Sequence, residues 1–195
     1  MKLRSTGLEL RHIIASILVL VVAVSGVGFL HLPSFAAIAE RLTVVSLPLA
    51  VGFVAHELAH KWAAMRYGHL AVYRMWTLGL VLALLFGLAT NGRVIFAAPG
   101  AVVILAPYFT RKEGGVIGLS GPLTNILLAG MFLVVGAVGG IVGAIGANGV
   151  FINLWLAFFN LLPLPPLDGS KVFSWNPIIW AILEAPLAAI IFLLL

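Results

Sequence analysis

The sequence predicts an all-α polytopic membrane protein of about six transmembrane segments. One short re-entrant or membrane-associated β element is expected between the second apolar segment and the segment carrying GPLTN. Three observations predict this fold class. Hydrophobic residues make up 63% of the 195-residue chain and charged residues only 9%, against about a quarter charged in soluble domains. Mean hydropathy is +1.19. The apolar residues fall in successive runs of bilayer-spanning length, separated by short stretches holding Pro, Gly or charge. Such a chain lacks the polar residues needed to cover a water-facing surface. It reads as a single domain over 1–195, with no linker and no internal repeat.

Segment one covers roughly 12–31, after Lys2, Arg4 and Arg11. Its apolar run reaches or exceeds the top of the signal-peptide range, and more apolar segments follow. It therefore reads as a retained span with the N-terminus in the cytoplasm. Residues 32–41, with Pro33, Glu40 and Arg41, read as a short outer loop. Segment two covers roughly 42–66 and is apolar until His56; Lys61 and Arg66 close it. It runs outside to inside, with HELAH in its cytoplasmic half. Arg66 and Arg74 bracket a cytoplasmic turn at Tyr67-Gly68.

Residues 75–90 are apolar but barely long enough to span, and Asn91-Gly92 is a turn signal. Residues 93–108 alternate loosely, are rich in β-branched side chains and contain Pro99-Gly100. Within them 94–96 and 102–104 read as strand, folding back toward the cytoplasmic side. Non-helical backbone at that depth must be buried in protein or line a wet cavity. Arg111, Lys112 and Glu113 read as an internal charged loop, with a span carrying GLSGPLTN starting near 116. Gly136, Gly139, Gly140, Gly143 and Gly146 mark either a loop or a tight helix crossing. Residues 147–161 return to the cytoplasmic side. Pro163, Pro165 and Pro166 break the helix before Leu167-Asp168-Gly169. A last span occupies roughly 175–195 and ends inside an apolar run, so the natural protein can continue further.

The net charge of +5 reads as Lys and Arg retained on cytoplasmic loops. No basic cluster with interleaved aromatics is present, so nucleic acid is not an expected partner. The absence of cysteine excludes disulfides, thiolate metal ligands and a cysteine nucleophile.

Against this apolar background, His56-Glu57-Leu58-Ala59-His60 stands out. Helix positions i and i+4 share a face, so His56 and His60 can address one ion. Imidazole nitrogens suit zinc, and Glu57 can reach a water on that ion. In a soluble helix this pattern can be a plain surface cluster. Ionisable groups in apolar segments are expensive and are kept for function. A catalytic zinc needs a third protein ligand. The candidates are Asp168, His69, His12, His31 and the remaining glutamates. Asp168, the sole aspartate, is the best choice, because the proline-rich break before it frees backbone to carry a carboxylate inward and Gly169 permits a tight turn beside it.

HELAH, Gly121-Pro122-Leu123-Thr124-Asn125 and the stretch Asn160-Leu161-Leu162-Pro163-Leu164-Pro165-Pro166-Leu167-Asp168-Gly169 together resemble the site-2 protease family of intramembrane zinc metalloproteases (peptidase family M50). The three motifs agree in order and in segment context, and the resemblance covers roughly 42–172. The family cleaves transmembrane or membrane-proximal segments of other proteins. The resemblance implies one zinc per chain, His56, His60 and Asp168 as its ligands, and Glu57 as the base. It implies transmembrane protein substrates, a multi-pass location in the cell membrane and an active site toward the cytoplasmic side. Residues 93–108 look like the family's extended element between the two motif helices. Many relatives carry a PDZ or CBS module; neither fits in this chain, which points to a compact prokaryotic or archaeal member. Ala98-Pro99-Gly100 departs from the glycine pattern of familiar members and suggests a divergent branch.

Hydrolysis of a peptide also needs donors for the carbonyl oxygen as it gains charge. Asn125 is the first candidate, with Asn160 and Asn153 behind it. Their alternative role is to tie spans together through backbone hydrogen bonds. Lys171 reads as charge balance or a snorkelling residue. Trp155, Trp175 and Trp180 read as packing or interface residues. The competing function is a metal-ion-binding membrane transporter or channel, against which Glu57 and the three-motif match argue.

Overall fold

The computed structural model describes residues 7–93, 99–106 and 108–194. Helix α1, Gly7–Val24, begins earlier and ends earlier than the sequence suggests. Glu9 and Arg11 therefore belong to the helix, and Ser25 and Gly26 (φ 85°) end it. The expected outer loop at 32–41 is partly helical. Ser34 accepts the Ala37 N–H at 3.3 Å and caps α2, Phe35–Arg41.

A π-helical turn, Leu42–Ser46, joins α2 to α3, Leu47–Arg66. The turn lies just before Pro48, which has no N–H to give to the carbonyl four residues back. Together these pieces form a continuous 32-residue rod, Phe35–Arg66. At 1.5 Å per residue that is about 48 Å, longer than the ~30 Å apolar core of a bilayer.

After Gly68 (φ 83°) the chain forms β1, Leu70–Met75. It pairs antiparallel with β2, Gly100–Leu105, from Leu70 opposite Leu105 to Met75 opposite Gly100. The expected strand at 102–104 lies within β2, while that at 94–96 lies outside the described residues. Between the strands runs α4, Thr77–Ala89, closed by Asn91 (φ 55°) and Gly92 (φ 73°).

Helix α5 covers Arg111–Gly136. Arg111, Lys112 and Glu113 are its first turn and not a loop, because Thr110 and Glu113 form a reciprocal capping box. Helix α6, Gly140–Leu161, follows a turn at Gly139 (φ 84°) and Gly140 (φ 56°). A Cβ on Gly146 would run into the Gly136 backbone, so the glycine run supplies both a loop and a close α5–α6 crossing. Helix α7, Asp168–Trp175, starts after the prolines, and α8, Pro177–Leu194, completes the fold.

Among the described residues, four helical segments are long and apolar enough to cross a membrane: α1, the α2–α3 rod, α5 and α6. Helices α4 and α8 are shorter apolar helices, at the barely spanning stretch 75–90 and at the last apolar segment read from the sequence. Leu20, Leu49, Phe53, Tyr73, Ile152 and Leu156 form the central core. A second cluster, around Leu161, Val172 and Leu187, packs α6, α7 and α8 together.

One feature escapes sequence reading altogether. Lys61 Nζ donates to both carboxylate oxygens of Glu9, at 2.8 and 2.6 Å, and both residues are buried. The Tyr73 N–H adds a third bond to the same carboxylate at 3.0 Å. Removing one partner of such a buried pair costs about 3–5 kcal/mol, because the other charge is left without compensation.

Candidate metal centre

Helix α3 presents His56 and His60 one turn apart in its C-terminal half, and α7 brings Asp168 up to them. His60 Nε2 lies 2.9 Å and His56 Nε2 3.3 Å from Asp168 Oδ2, and the two Nε2 atoms are 2.9 Å apart. Among the described residues this is the one group of three metal-ligating side chains that converges, and all three are buried. His12, His31, His69 and the glutamates are not part of it. His69 instead faces Glu113 at 3.7 Å.

The ring protons are fixed by what surrounds them. His60 Nδ1 lies 2.7 Å from the Ile117 carbonyl, which can only accept, so Nδ1 carries the hydrogen. For His56 the constraint is relayed through two amides. Asn153 Nδ2 donates to the Gly149 carbonyl at 2.9 Å, which turns its Oδ1 toward Asn125. Asn125 Nδ2 donates to that Oδ1 at 2.9 Å and to the Gly52 carbonyl at 3.1 Å. Asn125 Oδ1 is thereby left facing His56 Nδ1 at 2.6 Å, so Nδ1 donates there too.

With both rings in the neutral form that binds metal, the Nε2 atoms present lone pairs to each other and to a carboxylate oxygen. Three such acceptors in close contact repel one another unless a cation lies among them. A tetrahedral zinc site with bonds of about 2.0–2.1 Å has edges of about 3.3 Å; one separation equals that edge at 3.3 Å and the other two are shorter, at 2.9 Å. The donor set, the tautomers and the spacing fit zinc.

The same geometry alters the expected role of Asn125. Both of its amide hydrogens are already donated, so it has none for a carbonyl oxygen. Its oxygen faces His56 Nδ1, which places it to orient that ring, as the outer partner of a metal-binding histidine does. Asn153 supports it from α6 and does not reach the metal site. Asn160 donates to the Leu156 carbonyl at 2.9 Å and lines the cavity beside the site.

Glycines set how closely the helices approach. A Cβ on Gly121 would collide with Nε2 of both histidines, and one on Gly115 with Trp175. The Gly121-Pro122 motif thus lets α5 lie directly against the two imidazoles. Gly169 does not form the tight turn that the sequence suggests. It lies in the first turn of α7, and what requires glycine is the Leu161 carbonyl packed against it. Lys171 Nζ bonds Asp168 Oδ1 at 2.9 Å, leaving Oδ2 for the histidines. Trp180 is held by packing on Phe173 and by donation to the Leu161 carbonyl at 2.7 Å.

The site opens into a cavity of about 380 Å³. Its walls include His56, Glu57, His60 and Asp168 together with the β2 residues Gly100 to Val102 and Ile104. Glu57 is buried beside the three converging groups, and its Oε2 has no hydrogen-bond partner among the described residues.

No family model matches the chain, and no solved structure matches it. Two curated proteins do. One, from Methanocaldococcus jannaschii, is named "Putative zinc metalloprotease MJ0611"; it is 40% identical over 172 residues, covering 86% of this chain and 88% of that protein. The other, from Bacillus subtilis, is named "Putative zinc metalloprotease YwhC"; it is 31% identical over 145 residues, covering 65% of each.

Proposed function

The chain belongs to the zinc metalloprotease family of the Methanocaldococcus jannaschii relative, and from that premise we propose that it is an intramembrane endopeptidase of the site-2 protease type. The observation that carries this reading is the pair of tautomer-fixed imidazoles facing Asp168 Oδ2, with Glu57 beside them in a cavity. No observation favours the ion-transport alternative.

His56, His60 and Asp168 would hold one zinc ion. When bound, zinc acidifies water and polarises a carbonyl. Glu57 takes the proton of the attacking water and delivers it to the departing amine. Its unpartnered oxygen suits a group whose partner arrives with the substrate. Asn160 is the remaining side-chain amide on the cavity wall. It spends one hydrogen on Leu156, and the other is offered to the carbonyl oxygen of the scissile bond.

Substrates are transmembrane segments of other proteins, and a helix must unwind to expose its amides. In the two-stranded sheet β2 pairs only with β1, so its second edge has no strand partner among the described residues. That edge suits an extended chain adding as a third strand.

The spans number about six when α4 and α8 are both counted as crossings beside the four long helical segments. Arg41 and Arg93 belong to one end of the molecule. Arg11, Lys61, Arg66, Arg74, Arg111, Lys112 and Lys171 belong to the end holding the ribbon and α7. This asymmetry supports a cell-membrane protein with a cytoplasmic N-terminus and the site toward the cytoplasm.

The test is cleavage of a reconstituted single-span substrate with the cut mapped by mass spectrometry. A cut within or at the edge of the apolar segment is expected. Cuts confined to the soluble flanks would sink the intramembrane reading. In the same assay, single prolines placed from Ala101 to Ile104 should impair cleavage at the positions whose N–H faces the open edge, with zinc retained; equal cleavage throughout would remove β2 from substrate binding.

A further inference from the structure

Tyr73 joins three elements at once. It is 1% exposed, and its backbone N–H donates to Glu9 Oε1 on α1. Its hydroxyl shares a 2.8 Å hydrogen bond with Ser16 Oγ, also on α1. Glu9 and Ser16 are seven residues apart, close to two helical turns, and both are buried, so one face of α1 carries both contacts. The Tyr73 ring packs edge-on to Phe53 of α3, with centroids 5.8 Å apart. On its other side the hydroxyl sits under Gly100 of β2, where a Cβ would overlap it.

Each of these buried polar groups has its partner. Burying a tyrosine hydroxyl, a serine and an ion pair to hold a single strand is more than apolar packing requires. Its consequence is positional. Strand β1 fixes β2 through the ladder, and Gly100, Ala101, Val102 and Ile104 of β2 form a wall of the cavity beside His56 and Glu57.

We infer that α1 is the element that sets the β1–β2 ribbon over the cavity, and that Ser16, Tyr73 and Glu9 are positioning residues for a substrate lying along β2. The consequence for substrate rests on the protease reading; the hold of α1 on the ribbon does not.

The test uses Ser16→Ala, Tyr73→Phe and the double variant in the full chain. All three remove the same hydrogen bond, so the double should behave like either single. Amide hydrogen exchange across 70–75 and 100–105 should rise by about 2- to 12-fold in each, the span expected for one net hydrogen bond. KM for a transmembrane substrate should rise within the same range, with kcat and zinc content unchanged. A merely structural bond would lower the active fraction, and so apparent kcat, without moving KM. Unchanged ribbon exchange overturns the hold of α1. Raised exchange with an unchanged KM overturns the positioning role. If the unmodified protein cleaves nothing, the protease reading fails on its own and the exchange result decides the hold of α1. Glu9→Gln keeps an acceptor for the Tyr73 N–H and should loosen the ribbon less than Glu9→Ala; equal loosening would also count against the inference.

Discussion

The amide of Asn125 makes three hydrogen bonds, one with its oxygen and two with its nitrogen. Together they set the proton on His56 from a backbone carbonyl two side chains away. Replacing Asn125 with Ala should weaken zinc binding by about 10–100-fold, the usual cost of losing a ligand's orienting partner. Competition with a chelator of known affinity measures this directly. Asn125→Asp keeps the acceptor and should retain more affinity than the alanine variant; the reverse order would mean that the amide nitrogen, and not the oxygen, matters. At this scale the sequence was partly legible. His56 and His60 announce a shared face by spacing, and a sole aspartate after a proline break stands out. The tie from Asn125 to the Gly52 backbone of α3 was legible as the alternative role; its bond to His56 was not, because that depends on how Asn153 and Gly52 spend their own bonding groups. Glu9 and Lys61 look like ordinary membrane-flanking charges until the fold brings them together.

Helix α5 turns local composition into access. Gly115, Gly118 and Gly121 recur every three residues and let α7 and the two histidines lie against its backbone. Gly121→Ala should therefore deplete bound zinc while leaving the protein helical, as read by metal content and circular dichroism. Full zinc occupancy would mean that α5 shifts aside at little cost. The capping box at Thr110 shows why the start of α5 was misplaced. Charged residues in a first turn look like a loop until the reciprocal Thr110–Glu113 bonds are seen. Strand β1 was missed for a different reason. Its partner lies some thirty residues on, and nothing in Leu70–Met75 alone declares a strand. The elements that could be read were those with a local signal: the Asn91-Gly92 turn, the proline break before α7 and the glycine-rich α5–α6 junction.

Across the whole molecule, one end gathers the chemistry. The start of α1, the end of α3, the ribbon, the start of α5, the end of α6 and all of α7 meet there, with Asn125 and Asn153 backing His56 from within the bundle. This placement follows from helix direction. Each segment that carries a site residue enters or leaves the bundle at the same end, so residues about a hundred positions apart in sequence converge within hydrogen-bond distance. The membrane character was legible from composition alone. The number of full crossings was not, since α4 and α8 are apolar yet short. The most direct test of the account is zinc content and cleavage measured together on purified protein and on Glu57→Gln. One zinc per chain is expected in both, with cleavage in the unmodified protein only. Cleavage surviving in Glu57→Gln, or loss of zinc from that variant, would contradict it.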